Sequence, residues 1–329
     1  MAGYNELHGL KVKYLSADPS NPEDGQVWYN STSGNLRVKG VAIAAFSSAA
    51  ALPTGTSTYN RAGTMTAGLF AAGNTSTGFS TATYEWNGSG WTSGGAIGTA
   101  LYSNTGFGTQ TAGASAAGRP TNGSSGDTNA TFEYDGSSWT SVNAANLAAR
   151  TRQSFGIQAA AAMVGGFQQA TATYTNATEE YDGTNWTTVT AMPAATASAN
   201  AIGTQTAAIV SLGGAPTVAT TYVAYDGTNW TSSPSANIAR GRSAAGGTGA
   251  TSTAGLVIGG TPYNPSVVAE TWDGTSWANS ASITTARYGA GVSDGNTNGI
   301  IAGGRTAPGF ETAVEEFTVV TTARNITTS

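Results

Sequence analysis

Short apolar runs and small polar turns alternate along almost the whole chain, and they return in the same order. The clearest unit is Glu180-Tyr181-Asp182-Gly183-Thr184-Asn185-Trp186-Thr187, in which an aromatic ends one extended run, four small polar residues follow, and Trp-Thr opens the next run. Close copies are Glu85-Trp86-Asn87-Gly88-Ser89-Gly90-Trp91, Glu133-Tyr134-Asp135-Gly136-Ser137-Ser138-Trp139, Tyr225-Asp226-Gly227-Thr228-Asn229-Trp230 and Trp272-Asp273-Gly274-Thr275-Ser276-Trp277. Each predicts a β-hairpin, because Gly adopts positive φ without a Cβ clash and Asp hydrogen-bonds the backbone two residues on. The paired aromatics then lie across the hairpin and cover a neighbouring unit. Trp91, Trp139, Trp186, Trp230 and Trp277 are therefore expected to be packing residues. They stand 48, 47, 44 and 47 residues apart, a period that fits a four-stranded unit and exceeds most helical repeats.

An apolar run ending in small residues, usually a glycine pair, precedes each hairpin: Leu69 to Gly73, Met163 to Gly166, Val210 to Gly214, Leu256 to Gly260 and Ile300 to Gly304. The pair is expected where an inner strand turns with no room for Cβ atoms. Ahead of these runs stand Arg61, Arg150 and Arg152, Arg240 and Arg242, and Arg287. Units with such an Arg generally carry Glu85, Glu179 or Glu180, Glu270, or Glu315 or Glu316 before the hairpin aromatic, and the fourth unit lacks both. A structural Arg–Glu pair explains the joint loss, since a buried charge without its partner is costly. Glu133, with no evident Arg, stands outside that rule.

The order of Arg-bearing strand, apolar strand with double Gly, Tyr strand and Trp strand resembles the kelch family of β-propellers over about residues 41–320. The resemblance implies an all-β fold, a six-bladed kelch-like β-propeller, with hairpin aromatics Trp86, Tyr134, Tyr181, Tyr225, Trp272 and Phe317. The sixth unit has Thr322 where its closing Trp would stand. Two closures fit. A strand near residues 41–47 supplies the missing outer strand, or the residues after Phe317 close the unit alone.

Residues 1–40 do not carry the repeat. A turn-rich loop over Asp18 to Gly25 leads into Gln26 to Val38, which reads as a hairpin. The stretch Gly25 to Val38 resembles short segments near the N-termini of bacteriophage tail-fibre and other virion proteins, where such a module attaches the chain to the particle. That resemblance makes Trp28, Tyr29, Leu36 and Arg37 candidate docking residues. The alternative is a hairpin that merely packs on the body. The expected domains are thus a 1–40 attachment arm and a 41–329 propeller.

Composition removes most chemistry. There is no Cys, and the single His8 lies outside the repeat, so thiolate and His-based catalysis and metal sites have no residues in the body. Acids present in every unit are better explained by the turns than by glycosidase chemistry. The groups Asp294 to Asn298 and Asp127 to Asn129 offer oxygen ligands without the EF-hand spacing, and a polar surface loop is the better reading. No catalytic residue, metal or cofactor is expected. A net charge of −5, with Lys11, Lys13 and Lys39 all before residue 40, disfavours nucleic acid as a partner. Neither a signal peptide nor 18 consecutive apolar residues is found, so the expectation is a protein made in the host cytoplasm and not inserted in a membrane.

Two function classes fit. One is a non-enzymatic virion protein in multiple copies, docked on other virion proteins through residues 1–40, its propeller facing outward for host attachment or decoration. The other is a glycan-binding, lectin-like propeller unrelated to a virion, using Tyr59, Tyr102, Tyr263 and Tyr288. In either, specificity is expected in the loops Ala117 to Ala130, Phe167 to Ala177 and Thr261 to Val268, because loops vary on a rigid scaffold.

Overall fold

The computed structural model describes residues 12–20, 25–40, 43–57, 60–120, 126–239, 251–260, 265–293, 295–306, 309–320 and 323–325. Every element among them is a β-strand. The chain divides into two compact units, one formed by Met1–Ala45 with Val319–Ser329 and the other by Phe46–Thr318.

The larger unit repeats one antiparallel sheet. In the third copy, Gln153–Ile157 pairs with Ala160–Val164, which pairs with Thr178–Tyr181, which pairs with Trp186–Val189. Equivalent four-stranded sheets run over Asn60–Gly94, Thr105–Val142 and Ala201–Ser233, and three described strands over Gly255–Asn279. The last sheet is ordered Tyr288–Ser293, Asn298–Arg305, Val314–Val320 and then Ile43–Ala49, a strand from the other end of the sequence. Phe46 on that strand meets Phe317 at 5.1 Å between ring centres.

The hairpins form for local reasons. Asp182 Oδ1 accepts from the amides of Thr184 at 2.8 Å and Asn185 at 2.6 Å, while Gly183 sits at φ +88°. These bonds favour the charged carboxylate, so its pKa is lowered, as it is for Asp226. The same bonds, with the amides of Ser138 and Ser276 foremost, hold Asp135 and Asp273 at about 2. Asn87 makes the equivalent bonds without a charge.

Packing between sheets explains the composition. Tyr181 and Trp186 lie 4.9 Å apart, and Phe107 of the preceding sheet meets both edge-on among Ala114, Ala116 and Ala161. Large rings from one sheet fill space that small residues leave on the next, as close packing requires. Of each aromatic pair, the one that opens the hairpin is the more deeply buried: Trp86, Tyr134, Tyr181 and Phe317 are fully inaccessible. Trp186 and Trp277 are buried, and Trp91, Trp139 and Trp230 are half-buried. All five still anchor the fold. The indole N–H of Trp139 donates to Thr83 Oγ1 at 2.9 Å and that of Trp186 to Thr131 Oγ1 at 3.0 Å, each in the preceding sheet.

Three further sets of bonds join successive sheets. Gln110, Gln158 and Gln205 each donate through Nε2 to two carbonyls of the sheet before, for Gln205 those of Ala161 and Tyr181 at 3.0 Å. Ser103, Thr151 and Ser198 hold φ of 54°, 57° and 55°, an uncommon region for non-glycine residues. There the Thr151 amide donates to Ser103 O and the Ser198 amide to Thr151 O, both at 2.9 Å. The hydroxyls of Tyr134, Tyr181 and Tyr225 donate to Glu85, Glu133 and Glu180 of the preceding sheet. Gly94 is needed at the first of these contacts, since a Cβ there would lie 2.3 Å from the Tyr134 hydroxyl.

These contacts correct the Arg–Glu expectation. Two kinds of Glu precede the hairpin aromatics. Those two positions before it are buried and take an Arg: Arg152 to Glu179 at 2.7 Å and Arg287 to Glu315 at 3.0 Å. Those one position before it take the next sheet's tyrosine, which is why Glu133 needs no Arg. Where the next sheet offers Trp272 or Phe317, with no hydroxyl, that position is Ala224 or Thr271. Glu316, one position before Phe317, has the Trp86 side chain as its neighbour, and burial pushes its carboxyl upward with Trp86 opposing. Arg240 and Arg242 lie outside the described residues.

Candidate functional site

Among the described residues, two places in the larger unit could receive a ligand. The first strands of four sheets line a partly open cavity of about 20 Å³, with Arg61, Gly106, Phe107, Ser154, Phe155 and Gly203 among its walls. That is room for about one water, far below the several hundred Å³ of a small-molecule pocket. Arg61 crosses it to Gln153 Oε1 at 3.3 Å.

The second place is the set of loops joining second and third strands, all of which leave the sheets through the small-residue pairs. Gly165 takes φ +61°, and a Cβ there would lie 2.4 Å from Thr196 O. Ala72 and Ala117 accept the same positive φ in the first two sheets, at 63° and 57°. In the first four sheets the loop then bridges to the segment ahead of its own first strand, through Ser57 with Asn74, Tyr102 with Arg119, Arg150 with Phe167 and Ala197 with Ala215. Rigid sheets thus present anchored loops.

Aromatic and polar side chains collect on those loops. In the first sheet the small hairpin Asn74–Thr75 with Gly78–Phe79 places Phe79 on Tyr102, stacked at 5.1 Å and 16°. In the third, Phe167–Gln168 pairs with Thr173–Tyr174, and the Phe167 and Tyr174 rings meet edge-on at 5.2 Å. Asp127, from the loop of the second sheet, binds Arg150 at 2.9 Å and the Gln169 amide at 2.7 Å. Arg150 also donates to Gln169 Oε1 at 2.9 Å and lies 4.6 Å over the Phe167 ring.

The loops Ala117 to Ala130 and Phe167 to Ala177 are thereby joined through Asp127, which serves as an anchor rather than as a cation ligand. No three His, Cys, Asp or Glu side chains gather to hold a metal among the described residues. Tyr102 belongs to this face and Tyr288 is half-buried in an inner strand. Tyr59, Tyr263, Asp294 and much of Thr261 to Val268 lie outside the described residues.

The smaller unit is a sheet ordered Lys13–Leu15, Val27–Asn30, Asn35–Lys39 and Ala323–Asn325, so both ends of the sequence contribute to it. One docking candidate is corrected here. Trp28 is fully buried and donates from Nε1 to Asp18 Oδ1 at 2.9 Å, so it is a core residue of this sheet. Arg37 also binds Asp18, and Leu36 is half-buried. Tyr29 stacks under Tyr14 at 4.9 Å, leaving Tyr14 74% exposed and Val12 48% exposed. Tyr14 is an exposed aromatic that the hairpin reading missed, since it lies on a separate strand ahead of that hairpin.

No protein-family model matches the chain, and no curated protein matches it. Among solved structures it is similar to that of YjhT, with a TM-score of 0.67 and 16% identity over 84% of this chain and 99% of that one. At that identity the likeness speaks to the fold alone, which is all-β and β-propeller-like.

Proposed function

We propose that the larger unit is a closed six-bladed, kelch-like propeller and that the protein is a non-enzymatic virion component, docked through its smaller unit and presenting the loop face for host attachment. Closure is supported by two features. Phe70 and Trp86 of the first sheet share a buried cluster with Ile300, Ala302 and Val314 of the last. The strand Ile43–Ala49 occupies the outer position of the last sheet, so that strands from both ends of the repeat complete one blade.

The observation that carries the attachment reading is the division into two compact units. A separate sheet bearing an exposed Tyr14 and Val12 suits docking, since aromatic side chains are favoured at interfaces. The loop face, with its anchored aromatics, suits recognition. The test compares incorporation into particles of the full chain and of protein lacking residues 1–40, with binding of the isolated repeat to host cells. Incorporation is expected to fail without the arm while cell binding persists. Normal incorporation of the truncated protein overturns the docking role, and absence of cell binding leaves decoration only.

A further inference from the structure

We propose that the hairpin Phe167–Gln168 with Thr173–Tyr174 is a saccharide-binding finger that takes a neutral sugar. The inference rests on the recognition role of the loop face given above. Its first support is rigidity at the base. The Asp127 side chain is only 2% exposed, and it fixes both Arg150 and the Gln169 amide, so the finger is held by the neighbouring loop as well as by its own pairing. Preorganisation of that kind reduces the ordering cost of binding.

The second support is shape and chemistry at the tip. Residues 169–174 are all exposed, in contrast to the half-buried start of the hairpin. Tyr174 is 37% exposed and its ring stands at 68° to that of Phe167 rather than stacked flat on it, and that exposed ring surface suits the C–H face of a pyranose. On the same hairpin Thr171 donates to Gln168 Oε1 at 3.3 Å and shares a 2.7 Å hydroxyl bond with Thr173, while Gln169 Oε1 accepts from Arg150, so the side-chain N–H groups of Gln168 and Gln169 are what the finger offers to sugar hydroxyls. The equivalent ring of the first sheet, Phe79, is covered by Tyr102 and carries no hydroxyl.

Charge selects the class of sugar. From Phe167 to Tyr174 there is no charged residue, and the cation at the base is committed to Asp127, to Gln169 and to the Phe167 ring. A sialylated or phosphorylated glycan would bring an anion to a surface with no cation to meet it. A neutral oligosaccharide carries no such penalty, and its affinity should be insensitive to salt.

The test uses the full chain and saturation-transfer NMR with maltohexaose and chitohexaose, against sialyllactose and a phosphomannan. At least one neutral oligosaccharide is expected to bind, with the same affinity at low and high salt. Tyr174→Ala should weaken it roughly tenfold and Tyr174→Phe should retain most of it. The exposed position makes unfolding an unwanted confounder that one melting curve checks. Preference for the charged glycans, undiminished binding by Tyr174→Ala, or binding to host cells with no uptake of either neutral sugar would each overturn the inference while leaving the attachment role standing. Loss of cell binding by the wild-type protein would instead defeat the attachment role itself.

Discussion

Replacing Arg152 by Met is the sharpest probe of what holds the repeat together. Arg152 and Glu179 are each 1% exposed and joined at 2.7 Å, and the guanidinium also donates to Met163 O at 3.2 Å. Removing the cation leaves a carboxylate enclosed by the sheet, which costs about 3–5 kcal/mol. For a unit of this size that lowers the melting temperature by roughly 6–20 °C. The double variant Arg152→Met/Glu179→Val should return to within about 1–2 kcal/mol of wild type, because replacing a whole buried pair by apolar groups is close to neutral. The chain already contains that solution: the position of Glu179 is occupied by Phe132 in the second sheet and Val223 in the fourth, both buried. Guanidinium denaturation followed by tryptophan fluorescence measures all three proteins. A single variant as stable as wild type, or a double variant less stable than the single, refutes the argument.

Tyr181→Phe should cost about 1 kcal/mol by taking the hydroxyl from Glu133, 2.9 Å away; a double-mutant cycle with Glu133→Gln that shows no coupling would remove the tyrosine bonds from the account of how sheets are joined. The turn carboxylates make an acid prediction. Asp135 and Asp273 are held at about 2 in the fold, below the ordinary value near 3.9. Their contribution is therefore complete above the unfolded value and is lost as pH falls through about 2. Asp135→Asn and Asp273→Asn, which copy the natural Asn87 turn, should flatten stability against pH in that window, and NMR titration midpoints near 4 for these two residues would contradict the bonding described.

Much of the repeat was legible because its causes are local. An Asp-Gly turn needs only its own residues, so the hairpin at Asp182 could be placed from sequence, and its paired aromatics could be assigned to covering a neighbouring unit. The Gln110, Gln158 and Gln205 clasps were also visible in principle, at spacings of 48 and 47 residues. Which residue each of them meets across the gap was not, because partners in neighbouring sheets stand some 24 to 45 residues apart and are chosen by register. Only the tertiary structure separates Glu179, which meets an arginine within its own sheet, from Glu180, whose neighbouring position points it to Tyr225 of the next. It also turns Trp28 inward and brings Ala323–Asn325 beside Asn35–Lys39. Local propensity sets which residues turn and which extend; burial and charge pairing are settled only when distant strands meet, since they depend on what lies across the gap.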